Sequence, residues 1–65
     1  MKCTIKIKMS NAAFEIPGPV LARILRDLAD KAEYLVSADQ VKHSPWEEII
    51  MDVNGNRVGE MVVRK

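Results

Sequence analysis

The side chains that could do chemistry in this chain are few and far apart. Cys3 is its only cysteine and His43 its only histidine, so a nucleophile and a base would have to come from these two residues. Such a pair needs contact at about 3 Å and a nearby site for an oxyanion, and nothing in the sequence supplies that site. The pattern around Cys3 instead predicts a small buried apolar side chain, and His43, in a polar connector, is predicted to be solvated.

Two groups of oxygen-bearing residues invite a further chemical interpretation. Glu47 and Glu48 could act as general acid and base, but neighbours on a strand point to opposite faces, so we predict surface charges. The segment 52–56 begins like a calcium loop, which needs glycine at its sixth position and glutamate at its twelfth. Those positions hold Arg57 and Val63. We therefore interpret the segment as a hairpin turn built on Asn-Gly.

Length and composition indicate how so short a chain is stabilised. With 65 residues it is predicted to be a single small domain, and one such core supplies roughly 3–5 kcal/mol. A lone cysteine excludes an internal disulfide, and two soft ligands fall short of the four that structural zinc requires. Oligomerisation is the remaining route to extra stability. We predict no metal, no cofactor and no enzymatic activity.

Net charge limits the classes of partner. The value is +1, from 10 basic and 9 acidic side chains, which is neither the strong positive field of a typical nucleic-acid binder nor the acidity of a DNA mimic. No run approaches the ~18 apolar residues of a membrane span, and the charged start is unlike a signal peptide. A soluble cytoplasmic protein that does not bind membranes is predicted.

Apolar periodicity places the first half of the chain. Apolar and polar residues alternate over 2–9, which predicts a strand with one face on the core. After Pro-Gly-Pro, apolar residues recur at three- and four-residue spacing and predict a helix over 19–35. Asp27 and Lys31 on this helix are predicted to form an i,i+4 pair. In the connector between strand and helix, Phe14 and Ile16 are expected to lie against the core.

The second half contains a connector and a hairpin. The connector covers residues 37–46, and its Ser-x-x-Gln start favours a short helical turn, although a loop is equally compatible. The hairpin covers residues 47–64 with a turn at Asn-Gly. A two-residue turn would pair Asp52 with Arg57 and group Met51 with Val58, whereas a three-residue loop with a bulge would group Ile50 with Val58. The sequence leaves both registers open.

This order of elements predicts an α+β fold of β-α-β-β type. A crossover helix makes the first two strands parallel, so the third strand can lie between them and pair antiparallel with both. The expected sheet has three strands in the order 1-3-2, with one helix packed on one face. All 65 residues form this one domain.

Three segments resemble a known group of proteins. They are N-A-A-F-E (11–15), A-R-I-L-R-D-L-A (22–29) and D-V-N-G-N-R-V-G (52–59). In these segments the chain resembles very small, functionally uncharacterised proteins of bacterial phages, prophages and plasmids. The resemblance implies a mobile-element origin in a bacterial host and implies no particular activity or functional residues.

Doubled apolar positions in the hairpin suggest a contact surface. Each predicted strand contains adjacent large apolar residues, which cannot all enter one core because side chains alternate between the two faces. Exposed apolar patches usually mark contact sites, so we predict a protein interface, with a second copy first and then with a host or phage protein. The predicted interface residues are Ile49, Ile50, Val58, Met61, Val62 and Val63. The alternative is that the connector folds over the second face, with Val41 and Trp46 as plugs.

A basic sheet face is the basis of a second hypothesis. Lys2, Lys6 and Lys8 share one face of the first strand, and Arg64 extends this area if the third strand is the neighbour. These residues could contact phosphates, as in a small nucleic-acid-binding regulator. Lysines on an edge strand also discourage unwanted pairing, and no aromatic residues interleave with them as single-strand binding requires. Protein binding is therefore the preferred hypothesis.

Overall fold

The computed structural model describes every residue from Met1 to Lys65. Its elements are β1 (Lys2–Ile7), a 3-10 turn (Ala12–Phe14), α1 (Pro17–Leu35), α2 (Ala38–His43), β2 (Trp46–Met51) and β3 (Arg57–Arg64). The predicted β-α-β-β order is confirmed, with α2 as an additional short helix. Neither helix combines the length and apolar content needed to cross a lipid bilayer.

The three strands form one antiparallel sheet in the order β1-β3-β2, as predicted. In the β1–β3 pair, Lys2 lies opposite Arg64 and Ile7 lies opposite Gly59. Strand β1 ends two residues earlier than expected, although the Lys8 backbone N–H still donates to the Val58 carbonyl at 2.7 Å. The central strand is therefore the last one in the chain, and both edges of the sheet depend on it.

The hairpin adopts the three-residue loop of the two registers that the sequence left open. Asp52 N–H donates to the Asn56 carbonyl at 2.9 Å, and Gly55 N–H donates to the Asp52 carbonyl at 3.1 Å. Gly55 has φ of 80°, a conformation that glycine adopts at little cost. A bulge between Ile50 and Met51 then shifts the register. As a result Ile50 and Val58 both face the core.

The core is a single layer of apolar side chains between α1 and the sheet. Its buried members are Phe14, Ile24, Leu28, Ile50, Val58 and Met61, with Ile7, Ala13, Val20, Ala32 and Trp46 packed around them. The expectation for Phe14 is confirmed. The expectation for Ile16 is wrong, because this residue precedes the helix as its N-cap and is exposed.

Both helices begin at the local signals present in the sequence. Helix α1 starts at Pro17, two residues before the predicted start, because proline tolerates the first turn, where the N–H has no helical partner. Helix α2 is capped by Ser37, whose Oγ accepts from Gln40 N–H at 3.2 Å. The short helical turn is thus the correct alternative for the connector, and it contributes the buried Val41.

Ion pairs of α1 differ from the predicted Asp27–Lys31 pair. Asp27 pairs with Arg23 at 3.5 Å, one turn earlier on the helix. Lys31 instead donates to Glu48 on β2 at 3.1 Å. This contact links α1 to β2, two elements that are separated in the sequence by α2.

The placement of α1 leaves β1 partly uncovered. Cys3, Ile5 and Ile7 share the helix-side face of β1, yet Cys3 is exposed and Ile5 is 44% exposed. The prediction that Cys3 is buried is therefore wrong. The alternation identified the correct face, but one helix is too narrow to cover all three strands, and it lies nearer β2.

Candidate protein interface

The predicted interface residues divide between the two faces of the sheet. Ile50, Val58, Met61 and Val63 are buried within the single chain. These four residues are corrected to core positions, because they cannot touch a partner while the core is intact. Ile49 and Val62 lie on the outer face, since β2 and β3 alternate their side chains between faces.

The outer sheet face is open and mostly polar. It carries a shallow depression of about 280 Å³ lined by Thr4, Lys6, Glu47, Glu60, Val62 and Arg64. No residue of the connector lines it, and Trp46 packs against the core cluster instead. The sealing of this face by Val41 and Trp46, considered from the sequence, is therefore not the observed arrangement.

The basic residues of the second hypothesis meet on this outer face. Lys2 lies directly opposite Arg64, as the sequence suggested, but Lys6 lies opposite Glu60. Glu47 adds a second carboxylate beside them. Lys8 lies past the end of β1. The resulting surface has mixed charge, which gives phosphates less attraction than an uninterrupted basic face would.

Strand β2 is an edge with free backbone groups. Because Asp52 N–H bonds inward to the neighbouring strand, alternate residues of β2 also point inward, and the residues between them point away from the sheet. The outward N–H and C=O groups therefore belong to Glu47, Ile49 and Met51. Of these, Ile49 is 48% and Met51 56% exposed. An edge of this kind is a template for an added strand.

A groove runs beside this edge, between α1 and β2. Its volume is about 300 Å³, and five of its eight lining residues are hydrophobic. The lining residues are Ile24, Asp27, Leu28, Lys31, Glu48, Ile49, Ile50 and Met51. The groove therefore combines an apolar floor with charged groups from the helix and the strand. A groove bounded by a helix and an open strand edge suits an extended segment of another chain.

The flank of α1 above the groove has alternating charge and an exposed aromatic ring. Arg23, Asp27 and Lys31 recur at four-residue spacing, and Tyr34 follows on the same side. Tyr34 is 82% exposed, the largest value among the large apolar and aromatic side chains. A ring of this size in water is an unused contact surface, because aromatic residues contribute strongly to interfaces.

Asp52 holds the end of β2 in place. It is only 6% exposed and accepts from the backbone N–H groups of Asn54 and Asn56, both at 2.9 Å. It also accepts from the side chains of Asn56 at 3.2 Å and Asn11 at 2.7 Å. The backbone hydrogen bond from Asn56 contributes most to lowering the pKa of Asp52 below its ordinary 3.8, with burial opposing and the remaining bonds adding to it. The carboxylate thus ties the hairpin loop to the segment before α1.

The residues first considered for chemistry do not form a joint site. Cys3 lies on β1 and His43 at the end of α2, and both are exposed. Glu47 and Glu48 point to opposite faces, as predicted, with Glu48 engaged by Lys31. No group of three or more His, Cys, Asp or Glu side chains is arranged to hold a metal ion.

Comparison of the chain with protein-family models, with curated proteins and with solved structures finds no match. The site must therefore be interpreted from its own geometry. Sequence reasoning named Ile49 and Val62 but missed the exposed Met51 and Tyr34 as candidate contact residues. Met51 could have been found from its two-residue spacing to Ile49, whereas the exposure of Tyr34 depends on how α1 is placed on the sheet.

Proposed function

We propose that this chain is a small non-enzymatic protein-binding module that associates first with a second copy of itself. The association uses the free edge of β2 and the adjacent groove. Apolar contact supplies the affinity, and the charges along α1 supply the orientation. In this proposal the module belongs to a mobile element, acts in the cytoplasm of a bacterial host, and modulates a host or phage protein.

The observation that carries the proposal is the concentration of exposed apolar groups at one unpaired edge. Ile49 and Met51 are about half exposed and flank outward-pointing backbone groups. Proteins commonly protect such edges with charged side chains or proline, and in β2 the only such residues are Glu47 and Glu48 in its first half, with Glu48 paired to Lys31. The second half, Ile49 to Met51, has no such protection. The edge is favoured over the rest of the outer face, because the depression at its centre is lined by only one hydrophobic residue, Val62.

The remaining parts of the proposal have separate support. The resemblance of three sequence segments to small phage and plasmid proteins supports the mobile-element origin. The absence of enzymatic activity is supported by the placement of Cys3 and His43 on different elements. A single cysteine is in keeping with a reducing compartment.

Sedimentation equilibrium of the full chain over a micromolar concentration series tests the self-association. We expect a concentration-dependent rise in average mass toward that of two chains. A strictly monomeric mass throughout the series would contradict the proposal.

Affinity capture from a bacterial lysate with the tagged chain tests the second part. The expected result is a specific protein identified by mass spectrometry that a core-preserving edge variant, Met51→Lys, captures less well. Equal capture by both forms would show that this edge is not the binding surface for the captured protein.

A further inference from the structure

We infer that two copies join through antiparallel pairing of β2 with β2, with a two-fold axis between the two Ile49 residues. This inference rests on the proposed function and names its geometry. The pairing converts two three-stranded sheets into one continuous sheet. A two-fold arrangement closes on itself, so it yields a dimer and no filament.

The free backbone groups of β2 fit this register. In an antiparallel pair, two residues directly opposite each other bond mutually when the N–H and C=O groups of both point across. With Ile49 opposite the partner's Ile49, Met51 lies opposite the partner's Glu47, and the same pair recurs on the other side of the axis. Every outward group of Glu47, Ile49 and Met51 then has a partner, giving about six new hydrogen bonds.

The other free edge is opposed by charge. Self-pairing of β1 about Ile5 would place Lys8 against the partner's Lys2 and Lys6 beside the partner's Thr4, because residues opposite each other share a face. Like charges in that position are destabilising. The β2 register places no two like charges directly opposite on the outer face, where Met51 meets the partner's Glu47.

The charges of α1 are complementary about the same axis. Strands β1 and β2 are parallel, so the crossover helix α1 runs back antiparallel to β2, and Lys31 lies 3.1 Å from Glu48. With a rise of about 1.5 Å per helix residue and about 3.3 Å per strand residue, the midpoint between Asp27 and Lys31 is level with Ile49 along the strand. A two-fold axis there directs Asp27 toward the partner's Lys31. It also directs the exposed Tyr34 toward the partner's Arg23, a pairing suited to a cation–π contact.

Pairing also joins the two grooves. Each groove is lined at the β2 edge by the exposed side chains of Ile49 and Met51, while Ile24 and Leu28 form its buried wall. The partner's strand and helix cover the two exposed side chains, which removes apolar surface from water. The backbone groups of the β2 edge, the apolar lining of the groove and the charges on α1 therefore all favour the same two-fold pairing of β2 with β2.

Disulfide crosslinking tests the register in the full chain with Cys3→Ser as background. In the proposed dimer the two Cys residues of Ile49→Cys would face each other with their Cα atoms about 5.5 Å apart, which is within the range of a disulfide. Val53→Cys is the matched control: Val53 is 68% exposed, but the pairing separates its two copies by more than about 20 Å. We expect Ile49→Cys to convert largely to covalent dimer under mild oxidation, at least about tenfold faster than Val53→Cys. Equal rates would overturn the register.

Proline substitution tests the edge. Ile49→Pro removes an outward N–H that has no partner within the chain, and Ile5→Pro does the same on the β1 edge. We expect Ile49→Pro to raise the dimer dissociation constant by at least about tenfold and Ile5→Pro to leave it unchanged, with circular dichroism reporting the fold of each. Loss of the dimer in Ile5→Pro alone would overturn this inference and leave the proposed self-association standing. A wild-type chain that stays monomeric would remove both.

Discussion

Replacing Gly59 by alanine tests a close approach of the β1 and β3 backbones. Gly59 lies on the central strand, opposite Ile7 of β1 and Ile50 of β2. A Cβ atom at this position would overlap the Lys6 carbonyl oxygen and lie 2.9 Å from both the Lys6 carbonyl carbon and Ile7 Cα. All three atoms belong to backbone, so no side-chain rotation can relieve the contact. The end of β1 would have to move away from β3.

The expected loss of stability in Gly59→Ala depends on how easily the neighbouring β1 backbone can move. Forcing extra volume into a packed site costs about 1–3 kcal/mol, and a rigid backbone neighbour places this case at the upper end of that range. Against a total stability of roughly 3–5 kcal/mol for so small a core, a loss of about 3 kcal/mol removes most of it. For a domain of this size each kcal/mol corresponds to about 4–8 °C in midpoint, so we expect a loss of about 3 kcal/mol to lower the melting temperature by about 12–24 °C.

Urea and thermal unfolding of the monomer, followed by circular dichroism, measures this loss. Gly18→Ala is the matched control, because its added Cβ meets no atom within 4 Å beyond its chain neighbours and the backbone of its own helix, and Gly18 is in the first turn of α1. There alanine should change stability much less than at Gly59, because the gain from a less flexible unfolded chain is opposed by the restriction that Pro19 places on the residue before it. A Gly59→Ala chain as stable as wild type would refute the close backbone approach, and with it the observed β1–β3 register.

Three further outcomes are expected. Leu28→Ala should lower the free energy of unfolding by about 2–5 kcal/mol, because Leu28 is buried. Leu25→Ala, at a half-exposed position of the same helix, should lower it clearly less in the same urea titration. Because the pKa of Asp52 is lowered, its carboxylate contributes its full stabilisation above the ordinary value of 3.8 and loses it as the pH falls through the lowered value. Unfolding midpoints measured from pH 6 downward should therefore fall less steeply in Asp52→Asn than in wild type. An unchanged slope would contradict this assignment. A gel-shift assay at low salt should show no binding to duplex or single-stranded DNA, because Glu47 and Glu60 interrupt the basic face. A mobility shift that weakens steeply with salt would support the nucleic-acid hypothesis instead.

The architecture was predictable because two periods dominate the sequence. The alternation in 2–9 and the helical spacing in 19–35 each allow one interpretation, and their order constrains the sheet to β1-β3-β2. The hairpin register was not predictable, because two loops suit Asn-Gly. It is decided by the Asp52 carboxylate, which receives the N–H groups of the three-residue loop and the Asn11 side chain from 41 residues away.

The site was predictable only in part, and for a related reason. Doubled apolar residues indicate that one of each pair leaves the core, but not which one, and a one-residue shift exchanges the faces. The bulge at Ile50 and Met51 settles that choice in favour of an exposed Ile49. The lateral position of α1, which exposes Cys3 and forms the groove at β2, results from core packing between residues far apart in sequence, and no local pattern encodes it.

The position of β3 between the other two strands has a consequence for synthesis on the ribosome. Strands β1 and β2 do not touch each other, and each bonds only to β3. A nascent chain that has not yet released Arg57–Arg64 from the exit tunnel therefore contains no strand pair, however much of α1 has formed. No part of the sheet can form before β3 has emerged, and until then the apolar residues of β2 depend on α1 or on a chaperone for shelter.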